Sequence, residues 1–166
     1  MSHIVCALAM LIVSILQMTV FSRINLIAGS ADLVLLFVAA WSLQEKVKNS
    51  WLWTAIFGLL LGMISAMPFY APLIGYLGVV FISKLLQRRV WRVPMLAMLI
   101  ITLVGTFFQQ AVYIIILQVT GSPISWVESL DSVILPSVLL NLIFALPIFA
   151  VANELARRVY PLEVEA

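Results

Sequence analysis

Charged residues are scarce in this sequence. Of its 166 residues, 10% are charged and 64% are hydrophobic, and the mean hydropathy is +1.19. Because a soluble domain is roughly 25% charged, this chain has too few charges to cover a water-exposed surface. The same composition excludes a disordered chain, which needs low hydrophobicity. The remaining class is a polytopic membrane protein with little mass outside the bilayer.

Reactive residues are equally scarce. Cys6 is the only cysteine, so no internal disulfide can form, and His3 is the only histidine, so no His/Cys metal cluster can assemble. The sequence shows no nucleophile–base pair and no glycine-rich phosphate loop. A net charge of +2 is no signature of nucleic-acid binding. The sequence therefore predicts no enzyme, no catalytic residues, no metal, no cofactor and no nucleic-acid partner.

Long apolar runs dominate what is present. They cover residues 4–22, 32–43, 51–67, 72–86, 94–119 and 133–156. A spanning helix needs roughly 20 residues, so the predicted fold class is an all-α polytopic membrane bundle of about six transmembrane helices. Residues 1–166 then form a single transmembrane domain. The second run is short for a span, and one interpretation is that an embedded loop leads into it.

The placement of the basic residues predicts the topology. With six spans and both termini on one side, that side carries eight of the nine basic residues: Lys46, Lys48, Lys84, Arg88, Arg89, Arg92, Arg157 and Arg158. Only Arg23 falls on the opposite side. The positive-inside rule then places both termini in the cytoplasm, whereas five spans would scatter the basic residues over both faces. The basic cluster of Lys84, Arg88, Arg89 and Arg92 is explained by two roles, setting the topology and attracting anionic lipid. The alternative is that it binds an acidic surface of a partner.

Asp32 is the acidic residue for which the sequence leaves two roles open. Ser30 can serve as an N-cap, which places Asp32 in the first turn of a helix, where a carboxylate suits the helix dipole. The functional alternative is that Asp32 accepts a basic group of a partner near the outer surface. All carboxylates fall at or beyond predicted span ends, which argues against a proton or ion path through the membrane.

Four polar side chains lie inside predicted spans: Gln17, Gln109, Gln110 and Asn141. We expect them to form hydrogen bonds within the bundle, with a ligand pocket as the alternative. The candidate pocket residues, Asp32, Gln109, Gln110 and Asn141, are scattered along the sequence. Pro147 removes one backbone hydrogen bond inside the last span, which predicts a kink there.

Two further features predict contact surfaces. Gly58, Gly62 and Ala66 form a stripe of small residues in the third span, against which either another span or a helix of a partner can pack. Residues 124–135 place apolar residues on one helical face, which predicts a short amphipathic helix on the outer surface. The alternative is an outward extension of the last span. Trp126 and Leu130 are its candidate partner-binding residues.

The order of these motifs resembles that of MreD, the rod shape-determining integral membrane protein of bacteria. The resemblance rests on LQMTVF (16–21), SADLVLLFVAAWSL (30–43), FGLLLGMISAMPF (57–69) and LPSVLLNLIFALPIFAV (135–151). It covers most of the chain in length, span number and motif order. The family often has an aspartate where this chain has Gly62, and a proline where it has Ala31.

The resemblance implies a non-enzymatic scaffold in the bacterial plasma membrane. MreD-like proteins partner MreC, a single-span protein with a large periplasmic domain, in the cell-elongation machinery. That machinery includes MreB, RodA and a class B penicillin-binding protein, and it directs peptidoglycan synthesis and cell shape. For this chain the resemblance predicts contact with MreC through Asp32, Gly58, Gly62, Trp126 and Leu130, with Gln17, Asn141 and Pro147 in structural roles.

A second function class remains open. The MreD family is similar in helical layout to the vitamin-binding components of energy-coupling-factor transporters. Such a component needs a solvent-reachable polar pocket near the outer face. It also usually carries an alanine-xxx-alanine contact in its first span, and the nearest match here, Ala7 to Leu11, fails.

Overall fold

The apolar runs form helices almost as the sequence predicts. The computed structural model describes residues 2–47, 49–87, 93–122 and 124–160. Its helices are α1 (Ser2–Thr19), α2 (Leu33–Ser42), α3 (Ser50–Ile64), α4 (Tyr70–Gln87), α5 (Pro94–Val119), α6 (Trp126–Ser129) and α7 (Leu135–Val159). The predicted all-α helical bundle is confirmed. The bounds of α5 coincide with the fifth apolar run, since Pro94 pre-sets the first helical position and Gly121 follows the end.

Four helical segments are long and apolar enough to cross a membrane: Ile4–Arg23, Tyr70–Gln87, Pro94–Val119 and Trp126–Val159. Two apolar helices are shorter, α2 with 10 residues and α3 with 15. Both shorter helices pack within the bundle that the longer ones form.

Helix α2 is the centre of the core. All ten of its residues are buried, including Trp41, which stacks on Phe37 with ring centroids 5.6 Å apart. The helix contacts α1, α3, α4, α5 and α7. A helix that is apolar on every face, as this one is, suits such a surrounded position.

A small β-hairpin leads into α2. Its strands are β1 (Asn25–Leu26) and β2 (Gly29–Ser30), which pair antiparallel, and a 3-10 turn (Phe21–Arg23) joins the hairpin to α1. Strand β2 packs against α7. A non-helical segment therefore leads into α2, as one interpretation of the short second run expects, and the helix begins only at Leu33.

The last helix extends outward without a break. Trp126–Ser129 is helical, Leu130–Ile134 forms a π-helical turn, and α7 continues from Leu135. The predicted separate amphipathic helix over residues 124–135 is wrong, and the alternative, an extension of the last span, is correct. Burial of Ser129 and Ile134 anchors this segment to the bundle. Helix α7 runs on through Pro147 to Val159 as one helix.

The glycine stripe of α3 packs against the same chain. A Cβ at Gly58 would lie 3.3 Å from the Cα of Leu73 in α4, and a Cβ at Gly62 would overlap the backbone carbonyl of Phe69. Both glycines are buried. The prediction that Gly58 and Gly62 contact a partner is therefore wrong, because α4 and the residue before it already occupy this face. Of the two alternatives for the stripe, packing within the chain is correct.

Candidate functional site

Polar groups inside the bundle gather around residues 28–35, where the hairpin joins α2. Peptide groups in such a segment have no helical ladder, so each buried N–H and C=O needs another partner. Side chains of α1 and α7 supply such partners, and side chains of α4 and α5 bond to the carboxylate of Asp32. We call this group of residues the Asp32 cluster: Gln17, Asp32, Tyr76, Thr106, Gln109, Gln110, Tyr113, Ser137 and Asn141.

Helix α7 and the turn before it hold one side of the segment. The backbone N–H of Ser30 donates to Ser137 Oγ over 3.1 Å, and that of Asp32 donates to Asn141 Oδ1 over 2.8 Å. The N–H of Ala28 donates to the carbonyl of Ser132 over 3.1 Å. Three alternate peptide groups are thus fixed to the last helical segment of the bundle.

Helix α1 holds the other side through one side chain. Gln17 Oε1 accepts a hydrogen bond from the N–H of Leu33 over 2.6 Å, and Gln17 Nε2 donates to the carbonyl of Ala31 over 3.1 Å. A single amide therefore satisfies one donor and one acceptor on either side of Asp32. The hydrogen bonding expected of Gln17 within the bundle is present.

The carboxylate of Asp32 caps α2. Its Oδ1 accepts from the N–H of Leu35 over 2.8 Å, so Asp32 itself is the N-cap residue. The prediction that Ser30 is the N-cap is wrong, because the N–H of Ser30 bonds to α7 while β2 is still extended. Helix α2 begins at Leu33, so Asp32 precedes its first turn instead of lying within it.

Two side chains complete the shell of this carboxylate. Oδ2 accepts from Gln109 Nε2 over 2.7 Å and from the hydroxyl of Tyr76 over 3.1 Å. Together with the Leu35 N–H these donors occupy both oxygens of Asp32, and the described residues bring no lysine or arginine within ion-pair distance of it. The predicted role of Asp32 as acceptor for a partner's basic group conflicts with this geometry, since the accepting positions are filled within the chain.

The cluster extends along α5 and α7. Asn141 Nδ2 donates to Thr106 Oγ1 over 3.0 Å, and Gln109 Nε2 also donates to the hydroxyl of Tyr113 over 2.8 Å. Gln110 makes a long contact of 3.5 Å to Ser137 Oγ. Gln109 Oε1 is buried and has no hydrogen-bond partner among the described residues. Residues scattered along the sequence are thus brought into one place.

Sequence reasoning missed four members of the cluster: Tyr76, Thr106, Tyr113 and Ser137. A signal was available for the members on α5, where Thr106, Gln109, Gln110 and Tyr113 recur at three- and four-residue spacing along an otherwise apolar helix. That spacing puts Thr106, Gln109 and Tyr113 on one face. Tyr76 lies two turns inside α4 and gave no comparable pattern.

Two predicted partner-binding residues remain on the surface. Trp126 is 44% exposed and Leu130 is 42% exposed, and Val127 between them is 73% exposed. They lie where the last helix extends beyond the start of α7. We call Trp126, Val127 and Leu130 the outer patch, after the side of the membrane on which the sequence predicts them. All three are exposed, whereas Gln109 and Asn141 of the Asp32 cluster are buried.

The fold and site define a class: an all-helical bundle with four helices able to span a membrane, closed by an internal hydrogen-bonded cluster. Comparison of the chain with protein-family models, with curated proteins and with solved structures finds no match. The side chains of the cluster act as hydrogen-bond donors and acceptors that hold the backbone around Asp32, and the carboxylate of Asp32 accepts hydrogen bonds from protein groups at both oxygens.

The hydroxyl of Tyr76 gives a direct test of the cluster. We expect Tyr76→Phe to lower the free energy of unfolding by about 1.5 kcal/mol, because the buried carboxylate of Asp32 loses one donor. Thermal unfolding in detergent, followed by circular dichroism, measures this. Tyr70→Phe is the matched control, since Tyr70 is 38% exposed and its hydroxyl bonds to none of the described residues. Equal loss in both variants would show that Tyr76 contributes only ring packing.

Proposed function

We propose that this protein is a multi-pass protein of the bacterial plasma membrane that crosses it about six times, with both termini in the cytoplasm. Four helical segments have the length and apolarity to cross. Large apolar side chains are exposed along α1, α5 and α7, for example Leu8 at 53%, Leu103 at 41% and Leu139 at 52%. Water-soluble proteins do not expose apolar surface along several whole helices, whereas a bilayer covers it.

The shorter helices fit this proposal when the hairpin is counted with α2. Ten residues rise about 15 Å, which is half of a hydrocarbon core of about 30 Å. The hairpin and residues 31–32 supply the remainder: β2 packs against α7, and Gly29 and Ala31 are buried, while residues 25–28 are exposed. Non-helical backbone is tolerated at membrane depth where protein surrounds it, and the Asp32 cluster provides that surrounding.

The function that we propose is that of a non-enzymatic scaffold of the rod complex, related in role to MreD and binding MreC. Contact with MreB, RodA and a class B penicillin-binding protein, direct or through MreC, belongs to the same proposal. One observation carries it: the side chains of the Asp32 cluster hydrogen-bond to the chain's own backbone and to each other, with Gln109 Oε1 left unpartnered, while the outer patch remains exposed. A molecule of this kind has an exposed surface that can bind a protein partner, whereas most of its interior polar side chains are already engaged and not free to bind a substrate.

The outer patch provides the test of this function. We expect Trp126→Ala with Leu130→Ala to weaken capture of MreC at least tenfold, because buried aromatic anchors dominate binding energy at interfaces. The tagged protein is extracted from native membranes in mild detergent, and the co-purifying proteins are quantified by mass spectrometry. Leu139→Ala with Ile143→Ala is the control, since both are exposed on α7 away from the patch. Undiminished capture by the patch variant would reject the patch as the MreC contact.

One observation favours the second candidate, a vitamin-binding component of an energy-coupling-factor transporter. Asp32, Gln109, Gln110 and Asn141 converge in one cluster, and the carbonyl oxygen of Gln109 is unpartnered. Small-molecule analysis of the same purified sample separates the candidates. A stoichiometric vitamin, or recovery of paired ATPases, would replace the scaffold by the transporter component. Recovery of MreC without either supports the scaffold.

A further inference from the structure

A cleft of about 840 Å³ opens at the end of the bundle opposite the outer patch. It lies between the end of α2, the start of α5 and the end of α7. Its lining combines polar and apolar side chains, among them Gln44, Lys46, Met95, Phe149, Asn153 and Arg157. The cleft is large enough for a headgroup and the first part of an acyl chain.

The polar side of the cleft has an excess of positive charge. Among the described residues that line it, Arg157 and Lys46 are cations and Glu45 is the one carboxylate. Lys46 Nζ donates to the backbone carbonyl of Tyr160 over 3.2 Å, which fixes its ammonium group at the rim. Arg157 forms no ion pair with any residue of the described ranges, and the side chain of Asn153 forms no hydrogen bond to them. The guanidinium group of Arg157 and the side-chain amide of Asn153 are therefore available to a ligand.

The helix that begins at the cleft adds to this preference. Pro94 is the first residue of α5, and both Pro94 and Met95 line the cleft. The first-turn N–H groups of a helix lack intrahelical acceptors and form the positive end of its dipole.

The apolar side of the cleft suits a hydrocarbon chain. Met95 and Phe149 lie in its lining, and Met95 is 60% exposed. A phosphate group paired with a short length of hydrocarbon matches this combination of cations and apolar side chains, whereas a free phosphate would use only the polar side. Basic side chains near the membrane surface attract anionic lipid.

We propose that this cleft is a binding site for an anionic phospholipid of the cytoplasmic leaflet, with its phosphate near Arg157 and Asn153 and its acyl chain along Met95 and Phe149. The inference rests on the proposed membrane location and orientation, and it is independent of the partner at the outer patch. The bound lipid would bridge the ends of α2, α5 and α7, so these helix ends would be tied together from the cytoplasmic side.

The chain offers a matched pair of variants for the test. Arg157→Gln removes a cation that lines the cleft, and Arg158→Gln removes an adjacent cation that pairs with Glu154 over 2.9 Å outside it. The purified protein in nanodiscs of phosphatidylcholine is titrated with labelled phosphatidylglycerol. We expect Arg157→Gln to weaken binding about fivefold, and Arg158→Gln to change it less than about twofold.

Each other outcome overturns the proposal. Equal affinity for labelled phosphatidylglycerol and for labelled phosphatidylcholine would show that the cleft does not select an anionic headgroup. Equal weakening in the two variants would show general surface attraction instead of a site. Displacement of the labelled lipid by millimolar inorganic phosphate would assign the cleft to a free phosphate. The lipid titration needs no MreC, so its failure and a failure of the MreC capture experiment are distinguishable.

Discussion

Asn141→Leu should lower the free energy of unfolding by about 3 kcal/mol. The substitution leaves the N–H of Asp32 without its acceptor and removes the donor to Thr106 Oγ1. Asn141 is 1% exposed, so water cannot replace either group. A buried polar group left unpaired costs about 1–3 kcal/mol, and two such losses outweigh the small apolar gain of leucine. Reversible thermal or denaturant unfolding in detergent measures the difference.

A second asparagine of the same helix supplies the control. Asn153 is half-buried, and its side chain bonds to none of the residues that the structure describes. Asn153→Leu is expected to change the stability by less than about 0.5 kcal/mol, since it breaks no internal hydrogen bond. If the two variants are equally stable, the hydrogen bonds of Asn141 do not hold the junction of the hairpin with α2.

The second large effect is expected at Gly29. A Cβ there would lie 2.6 Å from the carbonyl oxygen of Val133 and 2.7 Å from the backbone nitrogen of Ser137. Because both contacts are with backbone atoms, no side-chain rotation relieves them, and the hairpin must move away from α7. We expect Gly29→Ala to cost about 3 kcal/mol through this overpacking. Hydrogen exchange should also speed up over residues 28–36, because the bonds of Ser30 and Asp32 to α7 lengthen.

Gly58→Ala tests whether the effect is local to the hairpin. A Cβ at Gly58 would lie 3.3 Å from Leu73 Cα and 3.6 Å from Tyr76 Cδ2, which a small shift of α3 can relieve. The better helix propensity of alanine, about 1 kcal/mol, offsets that shift. We expect a net loss below about 1 kcal/mol and no change in exchange at residues 28–36. If hydrogen exchange at residues 28–36 is equally fast in both variants, the close packing of Gly29 against α7 does not hold the hairpin in place.

The helical elements of this fold were predictable because a helix buried in a core and a helix in contact with lipid both need long apolar runs. Residues 94–119 illustrate this, since the proline and the glycine that bound them are local signals. The hairpin was not predictable in the same way. Its strands are two residues long and their partners on α7 lie more than 100 residues away, so no local periodicity marks them.

The candidate site was only partly predictable for a related reason. Gln17, Gln109 and Asn141 stood out because amides are rare in apolar helices, but their common partner, the segment around Asp32, could be located only in three dimensions. Tyr76 did not stand out, because a tyrosine in an apolar helix equally fits an interfacial anchor. The glycine stripe predicted a close helix contact, and only the structure identified α4 as the neighbour.

The attachment of the hairpin to α7 also sets an order of assembly. Ser30 is 107 residues from Ser137, and Asp32 is 109 residues from Asn141. During synthesis the ribosome therefore delivers the hairpin early and its acceptors last, and contacts of such long sequence separation form slowly. Until α7 is in place, the N–H groups of Ser30 and Asp32 lack the acceptors that the folded chain gives them, so a chain that ends before Ser137 would leave both without these partners.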